Sequence, residues 1–320
     1  MKKSFGWWIV FFVLACPGFA VRAIAQEYPQ KPIRFINGPG PDILARLIGE
    51  KLTEVWKQPV IVENRLAASG LIAADNVAKA APDGYTLLLS TAPDTINETL
   101  FAKLKQYDLV RDLAPVSFLA SVPFFLVVSG SYPANSLADL IRMARANPGK
   151  INYASPGSGA PPHLGSEMLN NMAGVQLVNV PYKTVPEAVN DLLAGRVQVQ
   201  FAVSTVGLPL IRAGRLKALA VSTASRFAAM PEVPTVAESY PGFEMIGWYG
   251  VQVPAGTPKP IITKLHSEIV KALKMPDVQE RIRTLGMESV GSSPDEFAAI
   301  IKKEIQKWAK VIKDANIQTN

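Results

Sequence analysis

Residues 33–62 read IRFINGPGPDILARLIGEKLTEVWKQPVIV. Ile33 to Ile36 is a short apolar run suited to a buried strand. Asp42 to Val55 carries apolar side chains at 43, 44, 47, 48, 52 and 55, the stripe of one helix face. Asp42 stands where an N-cap is expected. Val60-Ile61-Val62 is a β-branched strand. Strand, Gly/Pro turn, helix and strand follow in that order. This is a βαβ unit, and such units build parallel sheets covered by helices.

The alternation continues outward. Leu71 to Ala80 reads as helix, Asp83-Gly84 as a turn and Tyr85 to Leu89 as a buried strand. Ser117 to Val128 is a long extended stretch, with Pro123 expected to break it. Ser136 with Asp139 forms a capping box before a helix over Leu137 to Ala146, and Thr184 with Glu187 forms another. Strands are expected near Ile151–Ala154, Leu177–Val180, Val197–Phe201 and Ala218–Ser222. Helices are expected between them near 162–172, 186–194 and 206–213. A strand-like run from Phe243 to Val253 precedes helices over 258–274, 276–285 and 294–314. The last has Ser293 at the N-cap, Pro294 at N1 and Glu296 at N3. Two clusters of βα units, joined by the long stretches 117–128 and 243–253, predict an α/β protein of two lobes with two crossings.

Composition excludes several classes. The 320 residues suffice for two ordinary cores. With 48% hydrophobic and 18% charged residues, the chain belongs to the folded globular proteins. One cysteine rules out a disulfide framework or a multi-thiolate zinc site. Two histidines leave few metal ligands and few general bases. The net charge of +7 includes Lys2, Lys3 and Arg22 of residues 1–25, which contain no acid. Without those three, 33 basic residues become 30 against 26 acidic, a net +4. That balance is not the basic stripe of a nucleic-acid binder.

Residues 1–25 have the form of an export signal. Lys2 and Lys3 precede the apolar run WWIVFFVLA (7–15), and Ala23-Ile24-Ala25 is a small-x-small cleavage site. The expected mature chain starts at Gln26, in the periplasm. Val13-Leu14-Ala15-Cys16 loosely resembles a lipoprotein box, but its Leu is displaced and Pro17 follows, so cleavage after Ala25 is preferred.

Candidate ligand contacts cluster at strand ends. Asn37, Gly38, Pro39, Gly40, Pro41 and Asp42 link a strand to a helix, where open α/β sheets bind ligands. This is not a phosphate loop: GK[ST] is missing and two prolines remove donors. The same letters fit an ordinary βα turn. Ser155, Gly157, Ser158 and Gly159 lie in a second such loop, before Pro161, Pro162 and His163. Its glycines permit close approach, and a helix start attracts a carboxylate. A Gly/Ser turn with a capping serine reads equally well. Ser90, Thr91 and Asp94 end the third strand; Ser204 sits just past the strand ending at Phe201, with Ala202 and Val203 between them. Lys183 is a candidate cation or a solvated surface lysine. His266, on an apolar helix pattern, is expected to be structural.

These residues carry a resemblance to the solute receptors of tripartite tricarboxylate transporters, the Bug family. Its marks run from Tyr28-Pro29-Gln30-Lys31-Pro32-Ile33-Arg34 to the C-terminus. They include Asp42-Ile43-Leu44-Ala45-Arg46, Gln58-Pro59-Val60-Ile61-Val62-Glu63-Asn64-Arg65 and Ala80-Ala81-Pro82-Asp83-Gly84-Tyr85-Thr86-Leu87. Asn152-Tyr153-Ala154-Ser155, Val180-Pro181-Tyr182-Lys183, Pro231-Glu232-Val233-Pro234-Thr235 and Pro254-Ala255-Gly256-Thr257-Pro258 follow in order. The resemblance implies a periplasmic binding protein of type II, the Venus-flytrap architecture, with two parallel-rich sheets and an interlobe cleft. Its expected parts are a signal peptide (1–25), lobe 1 (26–122), lobe 2 (123–248) and a return to lobe 1 (249–320). It further implies a monomer without cofactor or metal that passes a small carboxylate to integral-membrane transport subunits. In the family, the first βα loop (Asn37, Gly38, Pro39, Gly40, Asp42) and the second-lobe loop (Ser155, Gly157, Ser158, His163) face the ligand. Positions around Ser90–Thr95 and Ala202–Thr205 complete the cleft.

The sequence departs from that pattern in places. The family's first loop usually reads V-P-F-P-P-G-G-x-x-D, and here it is shorter. Arg65-Leu66-Ala67-Ala68-Ser69-Gly70 lacks the usual Pro-Gly-Ala-Gly-Gly run. Ala202 stands where many relatives have Asp, which implies a preference for ligands without an ammonium group. A secreted hydrolase using Ser158 and His163 is the rival class, but it lacks the nucleophile elbow and a third member. A ligand sensor serving a signalling partner would carry the same letters.

Overall fold

A computed structural model describes residues 28–38, 41–65, 70–157 and 159–318. Residues 1–27, Pro39, Gly40, residues 66–69, Ser158 and residues 319–320 lie outside the described residues. So do the expectations that fall on them. Among the described residues no helix is long and apolar enough to cross a membrane.

The first sheet grows from the expected βαβ unit. Strand β1 (Ile33–Asn37) pairs in parallel with β2 (Val60–Asn64), and helix α1 (Ile43–Trp56) connects them. Leu44, Ala45, Ile48 and Leu52 form the buried face of α1. Asp42 does not cap it. Its carboxylate instead accepts from Arg46 and from Asn64 Nδ2, 2.9 Å away, and no side-chain cap bond forms. Helix α2 (Leu71–Ala78) leads to β3 (Thr86–Thr91), which lies parallel to β1. Helix α3 (Ala92–Leu100) starts directly from β3.

Strand β4 (Leu113–Ser129) is common to both sheets. It runs through Pro123 without breaking. Residues 113–123 pair with β9 (Ile246–Pro254), and 124–129 pair with later strands of the second sheet. Pro123 sits at this handover, where a missing N–H costs the ladder nothing. The next amide, Phe124 N–H, donates to Ser222 Oγ at 3.0 Å.

Helix α4 (Leu137–Ala146) then opens a second βα series. It comprises β5 (Ile151–Ser155), α5 (Pro161–Ala173), β6 (Leu177–Pro181), α6 (Val185–Leu193), β7 (Val199–Val203), α7 (Ser204–Arg212) and β8 (Leu216–Val221). Strand β5 is parallel to β6 and β7, whereas β7 and β8 flank β4 antiparallel. Ser136 and Thr184 each accept the N3 amide at 3.1 and 3.4 Å, giving half of each expected capping box. A short α8 (Val236–Ser239) precedes β9, which returns antiparallel between β3 and β4.

The chain ends with α9 (Lys259–Leu273), α10 (Pro276–Thr284), a two-residue β10 (Glu288–Ser289) and α11 (Pro294–Asp314). Ser293 and Glu296 make the full expected capping box on α11. This helix serves both sheets. Phe297 and Ile301 pack with Phe118 and Trp248, while Trp308, Val311 and Ile312 pack with Tyr153, Leu164 and Phe201. His266 contacts the Ser292 carbonyl at 3.1 Å, a structural placement as expected.

Candidate ligand cleft

The carboxyl ends of β3, β5 and β7 converge on the middle of the molecule, and β4 and β9 cross there. A cavity of about 220 Å³ lies at that point. Thr91, Ala92 and Pro93 contribute from the start of α3, Pro161 and Pro162 from α5, and Val185 from α6. Val122 and Phe124 come from β4; Gln200, Phe201 and Val203 from β7; Gly247, Trp248 and Tyr249 from β9. Pro156 closes the wall. Among the described residues no charged side chain lines this cavity.

Its electrostatics come from helix starts. The first turns of α3, α5 and α6 meet at the cavity, and each contributes the partial positive charge of an N-terminus. Free donors are nevertheless few. Proline occupies N2 of α3 and α6, and both N1 and N2 of α5. The Thr91 amide at the N-cap of α3 is taken by the Asp94 carboxylate. Two wall residues carry buried polar atoms without a protein partner, Gln200 Oε1 and Trp248 Nε1. The Tyr249 hydroxyl stays protonated, because burial pushes its pKa up to about 12.

Asp94 stands behind this wall at 3% exposure. It accepts from Thr91 N–H at 2.7 Å and from Ser90 Oγ at 3.0 Å. Burial outweighs these bonds and pushes its pKa up to about 6. The folded state therefore binds this proton more tightly than the unfolded chain, whose aspartates titrate near 3.9. The resulting stability is complete below about pH 4 and is lost as pH rises through about 6. Relative to Asp94→Asn, the wild type is expected to gain about 2–3 kcal/mol between pH 7 and pH 4. Urea unfolding of both proteins across that range measures the gap, and a gap independent of pH would contradict this account.

The structure brings only part of the expected set to the cavity. Thr91 and Val203 line it. Gly157 and Gly159 lie in the loop around Pro156, both with positive φ. Ser155 turns away to Asn179 Oδ1 at 2.8 Å. His163 is buried against Tyr153, and its Nδ1 accepts from Gly159 N–H at 3.0 Å. Burial holds its pKa below the ordinary histidine value, so the ring is neutral and secures the loop. Asn37 bonds Asn64, Gly38 lies beside Gly70, and Asp42 is paired with Arg46. Ser90 serves Asp94, and Lys183 is exposed. The Ser204 hydroxyl donates to the Gly286 carbonyl at 2.6 Å. Ala202 points into a cluster with Phe125 and Leu208, away from the cavity.

Most of the cavity wall was not expected from the sequence. Gln200 had a signal, a lone amide inside the apolar strand VQFAV. Thr-x-x-Asp at 91–94 is a capping signature as well as a candidate site. Trp248 and Phe124 lie on crossing strands whose facing partners are far away in sequence.

The chain matches the model of the tripartite tricarboxylate transporter family receptor over residues 44–317. The chain belongs to this family. The receptor is 36% identical over 313 residues to protein BugT of Bordetella pertussis, covering 96% of each chain. It superposes on the solved structure of Rpa4515 of R. palustris with adipate at a TM-score of 0.80 and 35% identity. That match covers 91% of the receptor and 99% of the other chain. MatC of Rhodopseudomonas palustris, solved with bound malate, gives a TM-score of 0.76 at 30% identity. It covers 89% of the receptor and 100% of MatC. The receptor has the fold of the periplasmic binding proteins.

Proposed function

We propose that the receptor binds a small carboxylate in this cavity and delivers it to the membrane subunits of a tripartite tricarboxylate transporter. The observation that carries the reading is the cavity itself. Three helix starts converge on it, and among the described residues no side-chain carboxylate lines it to oppose an anion. The adipate and malate in related structures support the ligand class. The protein acts as a monomeric carrier without cofactor, and it does not transform its ligand. Lobe 1 comprises 26–122 and lobe 2 comprises 123–248. The return segment 249–320 rejoins lobe 1, with the last turns of α11 laid across to lobe 2. The Pro123 handover supports these limits. Gly157 and Gly159 belong to the rim on the lobe 2 side.

Calorimetry of the mature protein with mono-, di- and tricarboxylates tests the reading. Saturable binding of at least one acid is expected, and no binding by any of them would refute it.

Export supplies a separate prediction. The Lys2/Lys3, apolar-run, Ala-Ile-Ala order predicts removal of residues 1–25 and a periplasmic product starting at Gln26. Intact-mass measurement of the exported chain checks it. A lipid adduct on Cys16 would show the other processing route.

A further inference from the structure

We infer that the cavity takes an acid with one carboxylate on an apolar, ring-sized body. This rests on the carboxylate-receptor reading above and narrows it. The walls are aromatic and aliphatic: Phe124, Phe201 and Trp248 contribute rings, and Val122, Val185 and Val203 contribute methyl groups. Apolar walls reward an apolar ligand body by removing its surface from water. An apolar cavity of about 150 Å³ is known to hold benzene. At about 220 Å³ this one has room for a ring and one carboxylate.

Charge sets the limit of one. Each carboxylate taken from water needs a counter-charge or a full set of donors. Among the described residues the cavity has no lysine, arginine or histidine in its wall. The helix starts supply partial positive charge, but prolines occupy N1 and N2 of α5 and N2 of α3 and α6. The remaining donors suit one head group. The Trp248 indole N–H and the Gln200 amide oxygen have no protein partner, but both atoms are buried and neither opens onto the cavity. Polar di- and tricarboxylates are disfavoured by the missing counter-charge.

Calorimetry at neutral pH compares benzoate and phenylacetate with adipate, malate and citrate on the mature receptor. The aromatic acids are expected to bind at least about tenfold tighter than malate or citrate, a difference of about 1.4 kcal/mol. Phe124→Ala is expected to weaken the aromatic acids about tenfold or more. Phe124 also belongs to the core of the second sheet, so Val203→Thr serves as a near-isosteric second variant. It is expected to weaken the same acids severalfold with an unchanged melting temperature. Tighter binding of malate or citrate overturns this inference and leaves the carboxylate-receptor reading standing. Unchanged affinity in a folded Val203→Thr protein also overturns it. Failure of every acid to bind overturns both.

Discussion

Replacing Trp308 with alanine is expected to cost about 3–5 kcal/mol of folding stability, the range for deleting a fully buried aromatic side chain. Trp308 has no exposed surface, and its indole N–H donates to Glu304 Oε2 at 2.9 Å. The truncation leaves a cavity and also removes a donor from a carboxylate that is 3% exposed. The loss falls on one end of α11. Phe297 and Ile301 keep the first half of the helix on the first sheet, while the second half loses its largest anchor. Denaturant unfolding gives the total cost, and hydrogen exchange locates it. The last turns of α11 should exchange faster in the variant than its first turns do. Trp308→Phe separates the causes: it keeps most of the packing and leaves Glu304 one donor short, at about 1–3 kcal/mol. An alanine variant as stable as the wild type would show that α11 is not a structural tie between the sheets.

Val203→Asp is expected to raise the dissociation constant of a bound carboxylate by a factor of about 100 or more. Val203 lines the cavity at the end of β7, where no cation stands among the described residues. An aspartate there meets the ligand as a like charge in a partly desolvated space. An unpaired buried charge costs about 3–5 kcal/mol, and about 2.7 kcal/mol already corresponds to a hundredfold. The free protein is spared most of this cost, because Val203 is half-buried and its carboxylate could stay hydrated in the empty cleft. Calorimetry together with a melting curve is decisive. Retained affinity in a folded variant would place the ligand elsewhere.

The architecture was legible from the sequence because its signals are local. The apolar stripe of α1, the β-branched β2 and the Ser293-Pro294-Glu296 start of α11 each define an element without reference to distant residues. Pro123 shows where locality fails. Its ring argues for a break, yet β4 continues because the strand changes partners there, from Ile246 to Val203. No local pattern announces an exchange between strands separated by so much chain. The cavity follows the same rule. Thr91 is legible because it ends a βα strand, whereas Val203 follows only from the family resemblance. Trp248 and Phe124 were missed because crossing strands bring them to the same space from outside those loops. Ala202 was placed by analogy with relatives that have an acid there, but alternation along β7 turns it to the opposite face. The expected bias against amino acids does not need Ala202, since no described wall residue offers a carboxylate to an ammonium group.

The loop that carries Gly159 meets Leu100 at the end of α3 so closely that a Cβ on Gly159 would lie 2.1 Å from Leu100 Cδ2. On another side, the Ser204 hydroxyl reaches the Gly286 carbonyl. Both contacts are made by the protein's own atoms beside the cavity, so a side chain at position 159 would have to displace Leu100 whatever the cavity holds.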